Sequence, residues 1–122
     1  MPDGYEVVEY IDNGEFIAAA VIDIPVDKCP DFIKTNHFIS VPFNFEISFY
    51  GQNYINKENQ NFPKDYKQLV FIDDCKGGNS WYYLLDKQTG RLWCQITYPD
   101  WGGTAQPCDD TAKGNALKIP HP

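Results

Sequence analysis

The stretch Phe43–Tyr50, FNFEISFY, alternates without a break. Phe43, Phe45, Ile47 and Phe49 fall on one side, and Asn44, Glu46, Ser48 and Tyr50 on the other. Successive side chains of a strand point to opposite faces, so this pattern predicts a half-buried strand in an antiparallel sheet. Its apolar side needs a core. Its polar side sets one carboxylate, Glu46, among short polar groups and a tyrosine, and is the first place to look for a site. The plainer reading of Glu46 is a solvated side chain.

A chain of 122 residues reads as a single domain, 1–122, with a core over about 5–108 and a surface tail over 109–122. Three Trp, eight Tyr and eight Phe favour a sheet-rich fold. No apolar run reaches the ~18–20 residues that span a bilayer. Nothing resembles a signal peptide, and the opening Met1-Pro2-Asp3-Gly4 reads as a mature domain expressed without its leader.

The net charge of −7 is unevenly spread. Residues 1–31 hold eight acids against one base, Lys28, while the remaining residues hold nine of each. An acidic first quarter repels phosphate and argues against tight, non-specific nucleic-acid binding. Arg91 is the only arginine, so bidentate phosphate recognition is scarce.

Along the chain, Tyr5–Ile11 reads as a first strand and Asp12-Asn13-Gly14 as a turn. Glu15–Ile24 is apolar at nearly every position. Ala18, Ala19 and Ala20 favour a helix there and Pro25 stops it, although Val21, Ile22 and Ile24 also suit a strand. Residues 25–36 read as irregular, and His37–Val41 as a short strand. Gly51–Asp65 reads as a long polar loop, functional or mobile, with Tyr54, Ile55 and Phe62 as its hydrophobic exceptions. Gln68–Asp73 reads as a central strand. Trp81–Asp86 and Arg91–Tyr98 flank Lys87-Gln88-Thr89-Gly90 as a hairpin. The sum is an α+β domain, a single α-helix packed on a twisted antiparallel sheet.

Cys29, Cys75, Cys94 and Cys108 show no CxxC spacing, and neither His37 nor His121 lies at ligand spacing, so no metal and no cofactor are implied. An even cysteine count in a small domain reads as two disulfides and hence secretion; the alternative is four buried thiols in a reducing compartment.

The order of several short stretches resembles the small fungal ribonucleases of the guanyl-specific T1/N1 type. It is more similar still to the ribonuclease-like secreted effectors of cereal powdery mildew fungi, which kept the fold and lost the chemistry. The stretches are Phe45-Glu46 with Ile47, Phe49, Gly51 and Tyr54; Phe62-Pro63-Lys64-Asp65 leading through Lys67-Gln68 to Leu69-Val70-Phe71; and Ile96-Thr97-Tyr98 followed by Gly102-Gly103 and Cys108. The likeness covers roughly residues 5–108 and lies in the order of the pieces, not in any one of them. It implies a T1-like fold with the family's catalytic glutamate at Glu46. The general-acid histidine falls on Tyr98, the phosphate-holding arginine near Gln68 with Lys67 beside it, and the histidine after the helix near Asp31. Of four functional groups one remains. A phenol titrating near about 10 is a poor acid at neutral pH, and losing a positioned acid or base costs ~10²–10⁴-fold in rate. The resemblance also implies the pairings Cys29–Cys75 and Cys94–Cys108. Valine at position 7 removes the early family cysteine that would otherwise bridge to the last one.

The function so implied is a secreted fungal virulence and avirulence effector without catalysis, acting in the host plant cytoplasm. Its partners would be host defence proteins and an intracellular nucleotide-binding leucine-rich-repeat immune receptor, with host RNA or the ribosome bound weakly and no membrane. Tyr50, Tyr54, Lys67, Gln68, Tyr98 and Trp101 are the candidate binding residues, the aromatics by stacking or anchoring. Two alternatives stand beside it. One is an active secreted ribonuclease using Glu46 with His37; the other is a small carbohydrate-binding module using Trp81, Trp93 and Trp101.

Overall fold

The computed structural model describes residues 1–12, 17–41, 55–76 and 79–97. Six strands form one antiparallel sheet: β1 (Glu6–Asp12), β2 (Ile17–Asp23), β3 (Ile39–Ser40), β4 (Leu69–Lys76), β5 (Asn79–Asp86) and β6 (Arg91–Thr97). Their order across the sheet is β1-β2-β6-β5-β4-β3. The helix α1 (Cys29–Thr35) lies between β2 and β3 in the chain. The molecule is therefore an α+β domain with one short helix on the sheet, among the described residues. None of its helices is long and apolar enough to cross a membrane, among the described residues. The expected strand Phe43–Tyr50 falls outside the described residues.

The sheet is covered on both faces. On one face Ala18, Ala20, Ile22, Tyr83, Leu85, Leu92 and Cys94 meet Cys29 and Phe32 of α1 and Phe38 just beyond it. On the other, Ala19, Val21, Leu69, Leu84 and Trp93 meet Ile55, Phe62 and Tyr66 from the segment before β4. That segment is no free loop. Phe62 stacks at a tilt on Trp93 with ring centroids 4.7 Å apart. The Trp93 indole N–H donates to the Asn59 carbonyl at 2.6 Å, and the Asn59 amide donates to the Glu9 carboxylate at 2.6 Å. The Asn56 N–H donates to the same carboxylate at 3.0 Å.

Two sequence expectations are corrected. The helix expected over Glu15–Ile24 is the strand β2. Residues 17–22 are all buried, because the strand pairs with β1 and β6 and is covered above and below. A strand buried on both faces loses its polar alternation and reads like a buried helix. The helix is instead in the stretch expected to be irregular. Pro30 sits in its first turn, where its missing N–H costs nothing, with Asp31 in the same turn and Lys34 in the last.

α1 ends in a Schellman motif. The Phe38 N–H donates to Ile33 O at 3.1 Å and the His37 N–H to Lys34 O at 3.4 Å. Phe38 folds back on Phe32 with centroids 5.3 Å apart. The motif puts His37 at φ 59°, the left-handed region that glycine occupies without strain. Gly90, which closes the β5–β6 turn, has φ 81° and accepts a 2.8 Å bond from Ile24 N–H.

His37→Gly should raise stability by about 0.5–1 kcal/mol in urea unfolding, by relieving that backbone strain. Gly90→Ala should lower it by about 2–4 kcal/mol, because its Cβ would overlap the Ile24 carbonyl oxygen as well as strain the turn.

Candidate functional site

Polar side chains line up across β4, β5 and β6 on the face opposite α1. Asp73 stands across from Tyr82, Tyr82 across from Gln95, and Gln95 across from Ala19. In the next row the Ser80 and Thr97 hydroxyls are hydrogen-bonded to each other. Tyr82 and Gln95 are buried, at 6% and 7% exposure, whereas Asp73 keeps one side open to solvent. Partial burial pushes the Asp73 carboxyl above its ordinary range, and the charge of Asp74 adds to the shift. Burial also pushes the Tyr82 phenol far above its ordinary range, with the Asp73 charge adding to it. The phenol thus stays protonated. Only Asp73 at the exposed end of the row reaches solvent, where it can accept a proton or a hydrogen bond; the Tyr82 hydroxyl and Gln95 are buried.

A second polar cluster lies at the other end of the same face. An open cleft of about 340 Å³ is lined by Asp23, Asn61, Asp86, Thr89, Arg91 and Trp93. Arg91 makes a bidentate ion pair with Asp23, at 2.8 and 2.9 Å. This hydrogen bonding raises the guanidinium pKa further. The Asp86 carboxylate accepts from the Gln88 N–H and the Thr89 hydroxyl, both at 2.9 Å, and so shapes the turn before Gly90. The chain's only guanidinium is held by a carboxylate of β2, one strand inward from the edge, in the geometry that a phosphate would otherwise take.

Lys67 and Gln68 lie in a 3-10 turn just before β4, Lys67 exposed and Gln68 half-buried. The Lys67 N–H donates to the Asp65 carboxylate at 3.0 Å, and Gln68 O accepts from the Lys87 N–H at 2.8 Å. They stand at the end of the sheet where Leu69 pairs with Asp86; Thr97 pairs with Ser80 at the opposite end. The two ends are about 20 Å apart at ~3.3 Å per strand residue. The structure therefore does not bring Lys67 and Gln68 next to the end of β6. Asp31 is exposed in the first turn of α1, and His37 is exposed at its end. Trp93 is buried on one face while Trp81 packs into the core on the other, so these two indoles form no shared platform. Glu46, Tyr50, Tyr54, Tyr98 and Trp101 lie outside the described residues.

The thiols of Cys29 and Cys94 are free and buried; Cys108, the other half of the expected Cys94 pair, lies outside the described residues. Each points at a backbone carbonyl: Cys29 Sγ at Pro25 O, 3.7 Å, and Cys94 Sγ at Ala20 O, 3.6 Å. Cys29 also lies beside Gly90, at the opposite end of the sheet from the Cys75–Ser80 pair. A disulfide needs Cα atoms within about 7 Å, and the length of β4 intervenes. Burial raises both thiols above their ordinary range. No group of three or more metal-ligating side chains occurs among the described residues.

The polar row was absent from the sequence reading. Its visible trace is an acid pair, Asp73-Asp74, inside an otherwise apolar strand, and a glutamine inside another; only the register shows that they meet Tyr82.

A carboxyl whose folded pKa is raised stabilises the fold below its unfolded pKa, and that contribution is lost as pH rises through the folded value. Asp73→Asn should therefore stabilise the protein at pH 7. The advantage over the unsubstituted chain should shrink as pH falls through the raised folded value toward about 4, the ordinary carboxylate value, and be gone below it, as read from urea midpoints across that interval.

Compared by sequence and by fold, the chain gives no significant match to a known protein family, a curated protein or a solved structure.

Proposed function

We propose that the chain is a ribonuclease-like scaffold of the T1 type without the ribonuclease reaction, working as a secreted fungal effector that binds a protein in the host plant cytoplasm. Host defence proteins and an intracellular nucleotide-binding leucine-rich-repeat receptor are its partners in this reading. Host RNA is at most a weak ligand.

The observation that carries the reading is the disposition of cationic groups. Cleavage of RNA needs a cation at the phosphoryl group with a base and an acid on either side of it. Arg91 is bound to Asp23, and Lys67 with Gln68 stand a strand's length from Thr97. The surplus of acids in residues 1–31 adds a field that repels phosphate and favours basic protein surfaces.

The test incubates the purified chain with total plant RNA at low and moderate salt, beside a Glu46→Gln variant. Intact RNA in both lanes is the expected result. Cleavage by the unsubstituted chain that disappears in the variant would show a working ribonuclease and overturn the reading.

A further inference from the structure

The cleft beside the β5–β6 turn has walls that are fixed before anything enters it. The Asp86 carboxylate sets the turn through the Gln88 N–H and the Thr89 hydroxyl. The Ile24 N–H bond to Gly90 O ties that turn to the end of β2. Arg91 and Asp23 hold each other across β6 and β2. In the segment before β4, the Trp93 indole fastens Asn59, and the Asn61 amide two residues on donates to Glu58 O at 3.3 Å. A site whose walls are already ordered loses little conformational entropy when a ligand arrives.

These bonds use only part of what the lining groups offer. Arg91 reaches Asp23 through Nε and Nη2, and Nη1 takes no part in that pair. A carboxylate has about four lone-pair positions, and Arg91 fills two of those on Asp23. Asn61 spends its NH2 group on Glu58 and keeps its side-chain oxygen. The Asp23 and Arg91 side chains are 38% and 26% exposed, and Asn61 and Thr89 are exposed. Asp86 and Trp93 line the same cleft but are buried, so they shape it without offering a stacking face.

A donor, Arg91, thus stands directly beside an acceptor, Asp23, with a further acceptor at Asn61. A free anion would meet the carboxylates of Asp23 and Asp86, and a cation would meet the guanidinium, so the cleft matches neither. A hydroxyl group both donates and accepts. Two hydroxyls on neighbouring ring carbons can take a bond from the guanidinium and give one to the carboxylate together. The volume of about 340 Å³ lies at the small end of the range of ligand clefts, which suits a single ring better than a long chain.

We infer that this cleft binds one ring of a neutral sugar, with Arg91 donating to and Asp23 accepting from a pair of adjacent hydroxyls, and Asn61 accepting from a third. This small-molecule site is separate from the protein-binding function proposed above and does not rest on it.

The probes are methyl β-glucoside, methyl β-galactoside and methyl α-mannoside, each titrated into the full chain and followed by two-dimensional amide NMR. At least one should give saturable shifts of the Arg91 Nε–H, the Asn61 side-chain amide and the Thr89 backbone amide, with a Kd of about 1–10 mM, weak because polar groups must first shed water. Asn61→Leu puts a branched apolar group into the cleft from an exposed position. It should weaken binding about tenfold or more and leave the urea midpoint nearly unchanged. Sodium phosphate and methylammonium chloride should give no saturable shift of the same signals. The inference is overturned by no saturable shift with any of the three sugars, by undiminished binding in Asn61→Leu, or by phosphate or methylammonium saturating these signals as tightly as a sugar.

Discussion

The pairing of β2 with β6 is the interaction on which the rest of the molecule depends. It runs from Ile17 opposite Thr97 to Asp23 opposite Arg91 and is the only strand contact that joins the β1–β2 unit to the β3–β6 sheet, among the described residues. The chain leaves β2, crosses one face through α1 to the far edge at β3, and returns through β4 and β5 before β6 meets β2. Residues far apart in sequence must therefore meet before β2 is buried. Once they do, Ile17, Val21 and Ile22 are each essentially inaccessible, and each such side chain contributes roughly 1.5–3 kcal/mol. The Arg91–Asp23 ion pair fastens one end of this seam, which is why the guanidinium has a structural task.

The small side chains of β2 make the seam possible. Ala18 and Ala20 lie under α1 among Tyr10, Tyr83 and Cys94, and Ala19 lies on the other face beside Gln95. Larger groups there would displace the covers on either side, since interiors tolerate added volume poorly. On the second face the cover is attached by polar contacts as well as packing. The path from Trp93 through Asn59 to Glu9 runs between an inner strand and the edge strand β1. Glu9 is thus engaged inside the molecule.

The same sheet separates the polar groups into two clusters with different tasks. At the Leu69–Asp86 end, Asp23, Asp86, Thr89 and Arg91 are occupied in shaping a turn and closing the sheet. Toward the other end, Asp73, Tyr82 and Gln95 form a row with shifted proton affinities and no cation among its members. An anionic carboxylate beside a buried phenol and amide does not stabilise a phosphoryl charge.

Local chemistry made part of this legible in the sequence. The β5–β6 hairpin could be read because Asp86 and Gly90 carry their turn geometry in their own side chain and φ angle, and β1 because valine, tyrosine and isoleucine favour strands. Cys29–Thr35 was hidden because it is barely two turns long and its proline looked like a breaker rather than a first-turn residue. β2 was hidden because its strand character comes from neighbours on both edges and both faces, and none of them is adjacent in sequence. The presence of an α+β domain with an acidic first quarter follows from the sequence alone, since propensity, alternation and charge are local or additive properties. Which face each residue takes, that Asp73 meets Tyr82, that Arg91 is held by Asp23, and that Cys29 lies at the opposite end of the sheet from Cys75 were decided only by the tertiary structure. Strand register is a long-range property, and a shift of one residue would send every side chain to the other face.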